Sequence, residues 1–290
     1  MTNEGSSTGA GPRDAYVAVT PGMRAMLYIA SGLVFTVGIS LFLLTEDTDK
    51  YFAWTIANPL TAAFLGAGYW ASGLLEFLAA REKRWREARI AVPAVLTFTT
   101  LTLFVTLAYW DRFHFDSDDF ITLVGTWFWL FVYASVPLVM GALFVKQGWS
   151  TGGGPDDDTP LPPFARVIYL VQGSIMLVIG LCLFADPLSA PWPWTLTDLT
   201  GRAIAAWLVA LAVAAFQVAW ENGLRRTRAA QVSYVVLGVL QFVALARYSD
   251  RVDFSSLEAM VYVVFLASVV ILPAYLILAT RRSESARRAQ

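Results

Sequence analysis

The chain has 290 residues, of which 57% are hydrophobic and only 15% are charged. A soluble domain normally carries about 25% charged residues, so the composition argues against a soluble globular protein. The apolar residues also lie in eight nearly uncharged runs, and a helix needs about 20 such residues to cross a ~30 Å hydrocarbon core. Seven runs meet that length, and the seventh in order is short unless Gln231 and Arg247 at its ends extend to the interface. Because the runs are continuous rather than alternating, they argue against a β-barrel. The sequence therefore predicts an all-α integral membrane protein with eight transmembrane helices. In chain order the runs are Met26–Leu44, Leu60–Ala80, Ile90–Trp110, Phe120–Val145, Val167–Ala185, Ala203–Trp220, Val232–Ala246 and Ala259–Ala279.

The segment before the first run, residues 1–23, is rich in Gly, Ser and Thr and has no long apolar stretch. This composition predicts a disordered tail with no cleavable signal peptide. The first helix would then act as an uncleaved signal.

The second run contains Glu76, the only carboxylate well inside a predicted span. Tyr69, Ser72 and Glu76 are spaced so that they share one face of the helix. An ionisable residue at membrane depth is a hypothesis of function, here a proton or cation site. The alternative is that Glu76 extends to the interface or pairs with an arginine. Gln217 takes its place in the sixth run, which weakens the case for a duplicated ion site.

Other polar residues within the runs have structural as well as functional interpretations. The third run carries several threonines whose hydroxyls could line a polar path, or bond back to their own helix. Gln172 and Gln241 are candidates for hydrogen bonds between helices. The threonines are Thr97, Thr99, Thr100, Thr102 and Thr106.

The loops between the runs differ in charge. Arginines and lysines are concentrated at 81–89, at 225–228 and at the C-terminal end from Arg281 onward, which includes the predicted tail at 283–290. By contrast, the loops at 46–49, 111–119 and 250–253 are acidic. Basic residues favour the cytoplasmic side, which predicts cytoplasmic termini and a bacterial cytoplasmic (inner) membrane. Tryptophans near the run ends then suggest aromatic belts, with Trp54, Trp110, Trp192 and Trp194 on the outer side and Trp85, Trp149 and Trp220 on the inner side.

Residues 24–146 and 165–282 resemble each other at an offset of about 140. Tyr28-x-x-x-Gly32 matches Tyr169-x-x-x-Gly173, Trp54-Thr55 matches Trp194-Thr195, and Asp111-Arg112 matches Asp250-Arg251. Each copy would contain four helices, so both would enter the membrane from the same side. We therefore predict two parallel tandem repeats about a pseudo-two-fold axis along the membrane normal, joined by a flexible cytoplasmic linker at 147–164.

This four-helix unit opens with an arginine that is separated by two to four residues from the Tyr-x-x-x-Gly pattern, and it has a short basic loop after its second helix. In these features it resembles the DoxX-like superfamily of small bacterial membrane proteins. The resemblance covers most of both repeats and implies four-helix bundles. It implies no function, since such families are mostly uncharacterised.

The junctions on the acidic side supply the remaining candidate site residues. Asn58 and Asp198 can each cap the helix that follows. Arg202 and Arg247 could form ion pairs with Asp198 and Asp250, or bind an anionic ligand or headgroup. Trp54 and Trp194 lie at matching positions beside them.

Several chemistries are disfavoured by what the chain contains. One cysteine, Cys182, excludes intramolecular disulfides and Cys-based zinc sites. One histidine, His114, excludes bis-histidine haem ligation, and its acidic surroundings are more typical of a solvated loop than of a metal site. The three lysines lie at loops or run ends, which argues against a retinal Schiff base. We therefore predict no cofactor and no catalytic or metal residues.

Two functions of different classes remain open. The first is a carrier or channel for a small molecule or lipid, with its site between the two repeats, where parallel repeats commonly place one. The second is a non-catalytic subunit or scaffold that packs against partner proteins. The expected partners are membrane lipids and, in the second case, other membrane subunits or a second copy of the chain, with no nucleic acid. An enzyme is third, because the sequence has no paired nucleophile and base.

Overall fold

The computed structural model describes residues 16–150 and 158–288. Within that part of the chain, eight helices are long and apolar enough to cross a membrane. This confirms the predicted all-helical class and the number of candidate spans. The helices are α1 (Pro21–Phe42), α2 (Pro59–Arg81), α3 (Trp85–Ala108), α4 (Phe120–Gln147), α5 (Pro163–Ala185), α6 (Asp198–Glu221), α7 (Arg228–Arg247) and α8 (Leu257–Arg288).

The predicted N-terminal tail is partly built into the fold. Residues 1–15 lie outside the described residues, but an extended segment precedes α1 and pairs with the loop between α2 and α3. Trp85 N donates to Val17 O at 2.8 Å, and Val19 N donates to Lys83 O at 3.1 Å. The loop backbone is thereby satisfied, as buried peptide groups require.

The predicted linker and the predicted C-terminal tail also differ from the structure in extent. Of the linker, 151–157 lie outside the described residues, and α5 already begins at Pro163, where a proline at the first helical turn costs no hydrogen bond. At the other end, α8 continues through 282 to Arg288, and 289–290 lie outside the described residues.

Side-chain caps position the two helices that begin at the acidic loops. Asn58 Oδ1 accepts from Leu60 N at 3.0 Å, which confirms its predicted role at the start of α2. The prediction for Asp198 was wrong. Thr197 is the N-cap of α6 and accepts from Thr200 N at 3.3 Å in a reciprocal capping box. Asp198 is therefore displaced into the first turn, and its carboxylate is available for other partners.

Four helices form the interior of the bundle and four its periphery. More than half of the span residues of α2, α3, α6 and α7 are buried, against fewer than two-fifths in α1, α4, α5 and α8. The main packing partners of α2 are α1 and α7, whereas those of α6 are α5 and α3. In addition, α4 packs on α3 and α8 packs on α7. The second helix of each half thus contacts the third helix of the other half.

Small residues allow the closest of these approaches. Gly66 on α2 faces the end of α1, where a Cβ atom would come within 2.6 Å of Phe42 N. Gly38 on α1 lies against the indole of Trp70, whose Nε1 donates to Phe35 O at 3.1 Å. Small residues serve this purpose in membrane helix packing generally, because lipid provides no hydrophobic drive for association.

The opening arginine of each half satisfies the end of its second helix. Arg24 donates to Ala80 O and Glu82 O, both at 2.9 Å. Arg166 donates to Ala219 O at 3.2 Å. The last carbonyls of a helix have no partner within the helix, so these arginines complete α2 and α6. We call this end of the bundle the basic face and the opposite end, which carries 111–119 and 250–253, the acidic face.

The predicted aromatic belts are wrong for three tryptophans. Trp54, Trp85 and Trp194 are 4%, 0% and 6% exposed, so they pack inside the protein and do not face lipid headgroups. Trp149 and Trp220, by contrast, are largely exposed near the basic face. Position near a helix end did not distinguish a packed indole from an interfacial one.

Candidate functional site

Glu76 lies in the interior of α2 and is 1% exposed. Ser72 Oγ donates to one carboxyl oxygen at 3.1 Å, and the other oxygen has no partner among the described residues. The sequence left two structural explanations for Glu76, pairing with an arginine and extension to the interface. Neither of them is observed. An ionised carboxylate buried without a cation is costly, so the neutral acid suits this position.

Tyr69, the other end of the predicted polar face of α2, pairs with Tyr133 on α4. Their hydroxyl oxygens are 2.6 Å apart and both residues are buried. The Tyr69 ring also makes edge-to-face contacts with Phe98 and Trp207, at centroid distances of 5.7 and 5.1 Å. Tyr69, Ser72 and Glu76 thus form a buried polar strip with one free acceptor.

Replacing Glu76 with glutamine is expected to change the free energy of unfolding by less than about 1 kcal/mol, because the amide oxygen still accepts from Ser72 and no charge is lost. Glu76→Ala is expected to cost about 1–3 kcal/mol, since it opens a void and leaves the Ser72 hydroxyl without its acceptor. Unfolding of both variants in mixed micelles checks this pair of values. A large loss in Glu76→Gln would mean that the carboxyl is ionised and has a cationic partner.

Gln217 on α6 lies beside a buried ion pair. Its Nε2 donates to Arg89 O at 3.2 Å. Arg89 holds Glu221 with two contacts, Nε to Oε1 and Nη2 to Oε2, both 2.7 Å long. Arg89 also donates to Trp149 O at 2.9 Å and lies over the Trp149 ring. This ion pair, with one hydrogen bond from Nη2, joins α3 to α6. Sequence reasoning missed it, since Glu221 follows the last residue of its apolar run and Arg89 belongs to a loop that positive-inside topology already explained.

The threonines of α3 mainly donate hydrogen bonds to carbonyls of their own helix. This agrees with the structural interpretation of these residues and not with a polar path. The glutamines join helices as predicted: Gln172 Nε2 donates to Ser268 Oγ at 2.9 Å, and Gln241 Nε2 to Phe64 O at 3.0 Å. The threonine bonds are Thr97 to Pro93 O, Thr99 to Val95 O and Thr106 to Thr102 O, each 2.8 Å long.

At the acidic face, the Asp198 carboxylate contacts two side chains, an arginine and a tyrosine. Arg202 Nη1 lies 2.5 Å from Asp198 Oδ1, which confirms the predicted ion pair. The Tyr109 hydroxyl donates to Asp198 Oδ2 at 2.6 Å. Burial and, next, this hydrogen bond raise the pKa of Tyr109, so the phenol keeps its proton at neutral pH.

The ion pair predicted between Arg247 and Asp250 is absent. Arg247 instead donates to Phe42 O at 2.8 Å, at the end of α1, and lies over the ring of Tyr248. Asp250 pairs with its neighbour Arg251 at 3.1 Å. Arg247 therefore satisfies a carbonyl group at the C-terminal end of α1. This role depends on packing between segments that are distant in the chain.

A small cavity lies where α2, α3, α6 and α7 meet, at the centre of the bundle. Its volume is about 40 Å³, enough for very few waters. Alanines and the rings of Phe98 and Trp207 dominate its wall, with Ser72 and Ser233 as polar members. The space between the two halves is therefore closely packed, with no room for a solute of ordinary size.

A larger cleft lies at the periphery, between α1 and α4, and we call it the α1–α4 cleft. Its volume is about 330 Å³, within the usual range for ligand pockets. Tyr69 and Tyr133 lie in its wall, and Lys50 lies at its acidic-face end. Its other wall residues are mostly apolar, including Leu33, Val34, Val37, Ile121, Phe128 and Val132. Because Ile121 and Phe128 are 65% and 51% exposed, the cleft opens sideways at the bundle surface.

A second cleft lies between α5 and α8, the corresponding helices of the other half. Its volume is about 260 Å³, and its wall includes Met176, Trp192, Phe265 and Tyr262. Its wall contains one acidic residue, Glu258 in the first turn of α8, and no lysine. Sequence reasoning missed both clefts, because an apolar residue that lines a void has the same sequence pattern as one that faces lipid.

Comparisons with known proteins add no relative. No family model matches the chain, and no curated protein or solved structure matches it. The resemblance to the DoxX-like superfamily therefore stays a prediction. Among the described residues, no three His, Cys, Asp or Glu side chains lie close enough together to hold a metal ion.

Proposed function

We propose that this protein binds membrane lipids or another apolar substrate, as a carrier would, and that the α1–α4 cleft is the main binding site. The observation that carries the proposal is an apolar cleft of about 330 Å³ that opens sideways between two peripheral helices. In a bilayer, that opening would face acyl chains. A polar solute would find little to bind there, since the apolar wall offers few hydrogen-bonding groups.

The polar groups at the two ends of this cleft suit an amphiphile. Lys50 supplies a positive charge at the acidic-face end, where it can attract an anionic headgroup. The Tyr69 and Tyr133 hydroxyls supply hydrogen bonds at the inner end. The wall of the second cleft contains Glu258 and no lysine, so we expect this cleft to discriminate against anionic lipids.

We also infer that residues 24–146 and 165–282 are parallel copies of one four-helix unit. Reciprocal packing supports this, because α2 contacts α7 as α6 contacts α3. The equivalent roles of Arg24 and Arg166 support it too, as do the paired clefts. With the basic face cytoplasmic, as charge asymmetry favours, both termini lie inside and both clefts open toward the outer leaflet of a bacterial inner membrane.

A glycine in the cleft allows a direct test. Gly125 lies in the wall of the α1–α4 cleft, and a Cβ atom there would meet nothing within 4 Å. Gly125→Leu should fill the cleft without a clash and raise the helix propensity. In native mass spectrometry after gentle detergent extraction, we expect wild type to retain lipid and Gly125→Leu to lose most of it.

Gly141 is the matched control, because it lies on the same helix, also has open space at its Cβ, and is not in the cleft wall. Gly141→Leu should retain lipid as wild type does. Lys50→Gln should reduce the preference for phosphatidylglycerol over phosphatidylcholine. Equal lipid occupancy in the two leucine variants would contradict the proposal, and a stoichiometric partner chain on lipid-free wild type would favour a subunit or scaffold instead.

A further inference from the structure

A polar pocket of about 310 Å³ opens at the acidic face. Its wall combines Trp54 and Thr55 from the segment before α2, Tyr109 and Arg112 from the end of α3, and the first turn of α6 around Asp198. The pocket thus joins the two halves of the chain. None of its wall residues belongs to either lateral cleft.

Two arginines and one carboxylate lie at this pocket: Arg112 and Asp198 in the wall, and Arg202 beside Asp198. Asp198 is the only acidic wall residue, and it is already held by Arg202 at 2.5 Å and by the Tyr109 hydroxyl at 2.6 Å. Arg112 is exposed, and it acts on Asp198 electrostatically without forming an ion pair among the described residues. The start of α6 adds the partial positive charge of a helix N-terminus. An anion entering the pocket would therefore meet more positive than negative charge.

A hydrogen-bond donor in the pocket wall is also unused. Trp54 is 4% exposed, and its indole N–H has no partner among the described residues. A buried donor without an acceptor is costly and unusual. Thr55 does not supply the acceptor: its hydroxyl contacts His114 Nε2 at 3.0 Å and is not within hydrogen-bonding geometry of the Trp54 indole.

A second polar pocket at the acidic face, also lined by both halves, has no such unused donor. Its volume is about 240 Å³, and Asn58 takes the place of Asp198. Trp194, the counterpart of Trp54, donates from its indole N–H to Thr61 Oγ1 at 2.9 Å. Arg251, the counterpart of Arg112, pairs with Asp250 at 3.1 Å. The same framework thus has its donors satisfied in one half and available in the other.

We propose that the pocket formed by Trp54, Arg112 and the start of α6 binds an oxyanion, a phosphate or carboxylate group. Arg112 supplies the charge and the Trp54 indole N–H supplies a directed hydrogen bond. The group belongs either to a small soluble anion or to a lipid headgroup. This site is separate from the lateral clefts and does not depend on the proposed lipid function.

The full-length protein in an uncharged detergent tests this, with inorganic phosphate and succinate as probes and calorimetry as the readout. We expect saturable binding that chloride at equal ionic strength does not reproduce. Arg112→Gln should weaken binding about tenfold or more, as the loss of a charged hydrogen bond implies. Trp54→Phe keeps a ring and removes the N–H, and should weaken binding severalfold.

Arg251→Gln and Trp194→Phe are the matched controls and should bind as wild type does. Two results would overturn the proposal: no saturable binding, or equal losses in Arg112→Gln and Arg251→Gln. Nanodiscs distinguish the source of the group. If phosphate binding persists in phosphatidylglycerol nanodiscs, the ligand is a soluble anion, and if it is lost there but kept in phosphatidylcholine, the ligand is a headgroup.

Discussion

Glu221→Gln is expected to lower the free energy of unfolding by about 3–5 kcal/mol, the usual cost of breaking a buried ion pair from one side. The Arg89 and Glu221 side chains are only 11% and 3% exposed, and their two contacts are both 2.7 Å long. The substitution leaves the Arg89 charge buried and turns an amide NH₂ toward it. Because this pair joins α3 to α6, the loss should weaken the interface between the two halves. Reversible unfolding in mixed micelles measures it.

Two further variants separate the charge from the packing. Replacing both Arg89 and Glu221 with methionine should recover much of the loss, since no buried charge then remains. Asp198→Asn on the same helix breaks an ion pair whose side chains are 23% and 54% exposed, and should cost no more than about 1 kcal/mol. If Glu221→Gln also stays within that limit, the buried pair does not form in the membrane protein.

Gly66→Ala is expected to cost about 1–3 kcal/mol, although alanine favours helix over glycine by up to about 1 kcal/mol. The added Cβ would lie 2.6 Å from Phe42 N and 2.8 Å from the Leu41 carbonyl carbon. These are backbone atoms of α1, so no side-chain rotation relieves the contact. Helices α1 and α2 must separate, and the loss should appear as a lower unfolding temperature in detergent.

Gly32→Ala on α1 is the control with the opposite sign. A Cβ at Gly32 would meet nothing within 4 Å, so this variant should be neutral or slightly stabilised by its helix propensity. If both alanine variants are stabilised alike, the close approach of α1 and α2 is not a feature of the folded protein.

Some residues of the candidate site could be predicted from the sequence, but their partners on other helices could not. Glu76, Tyr69 and Ser72 were identified because a carboxylate and its polar neighbours are rare at that position in an apolar run, and the structure places all three in the interior. Their partner Tyr133 lies on another helix, and no spacing in the sequence connects it to them. The ion pair predicted for Asp198 with Arg202 is confirmed, but its predicted capping role was wrong, because Thr197 forms a reciprocal cap with Thr200 and takes the N-cap position.

Contacts between distant segments also explain how Trp54 differs from Trp194. Both follow the same pattern and were predicted to lie at an interface, but both are buried. Only contacts between distant segments show that the Trp194 indole has an acceptor in Thr61 and that the Trp54 indole has none. This difference between the two halves at the acidic face therefore required the structure.

The sequence by itself determined the class of the protein, because eight apolar runs of sufficient length follow from composition and from the constant rise of a helix. The predicted runs end within two residues of the end of every helix except α8, but α1, α3, α5, α6 and α7 begin four or five residues before their runs, because the first turns contain polar residues. Only the tertiary structure decided which helices are interior, that the centre of the bundle is closely packed, and that the open space lies in two lateral clefts. Those properties depend on which surfaces meet, and a void has no sequence signature, since apolar residues facing a cleft, a neighbour or lipid follow the same pattern.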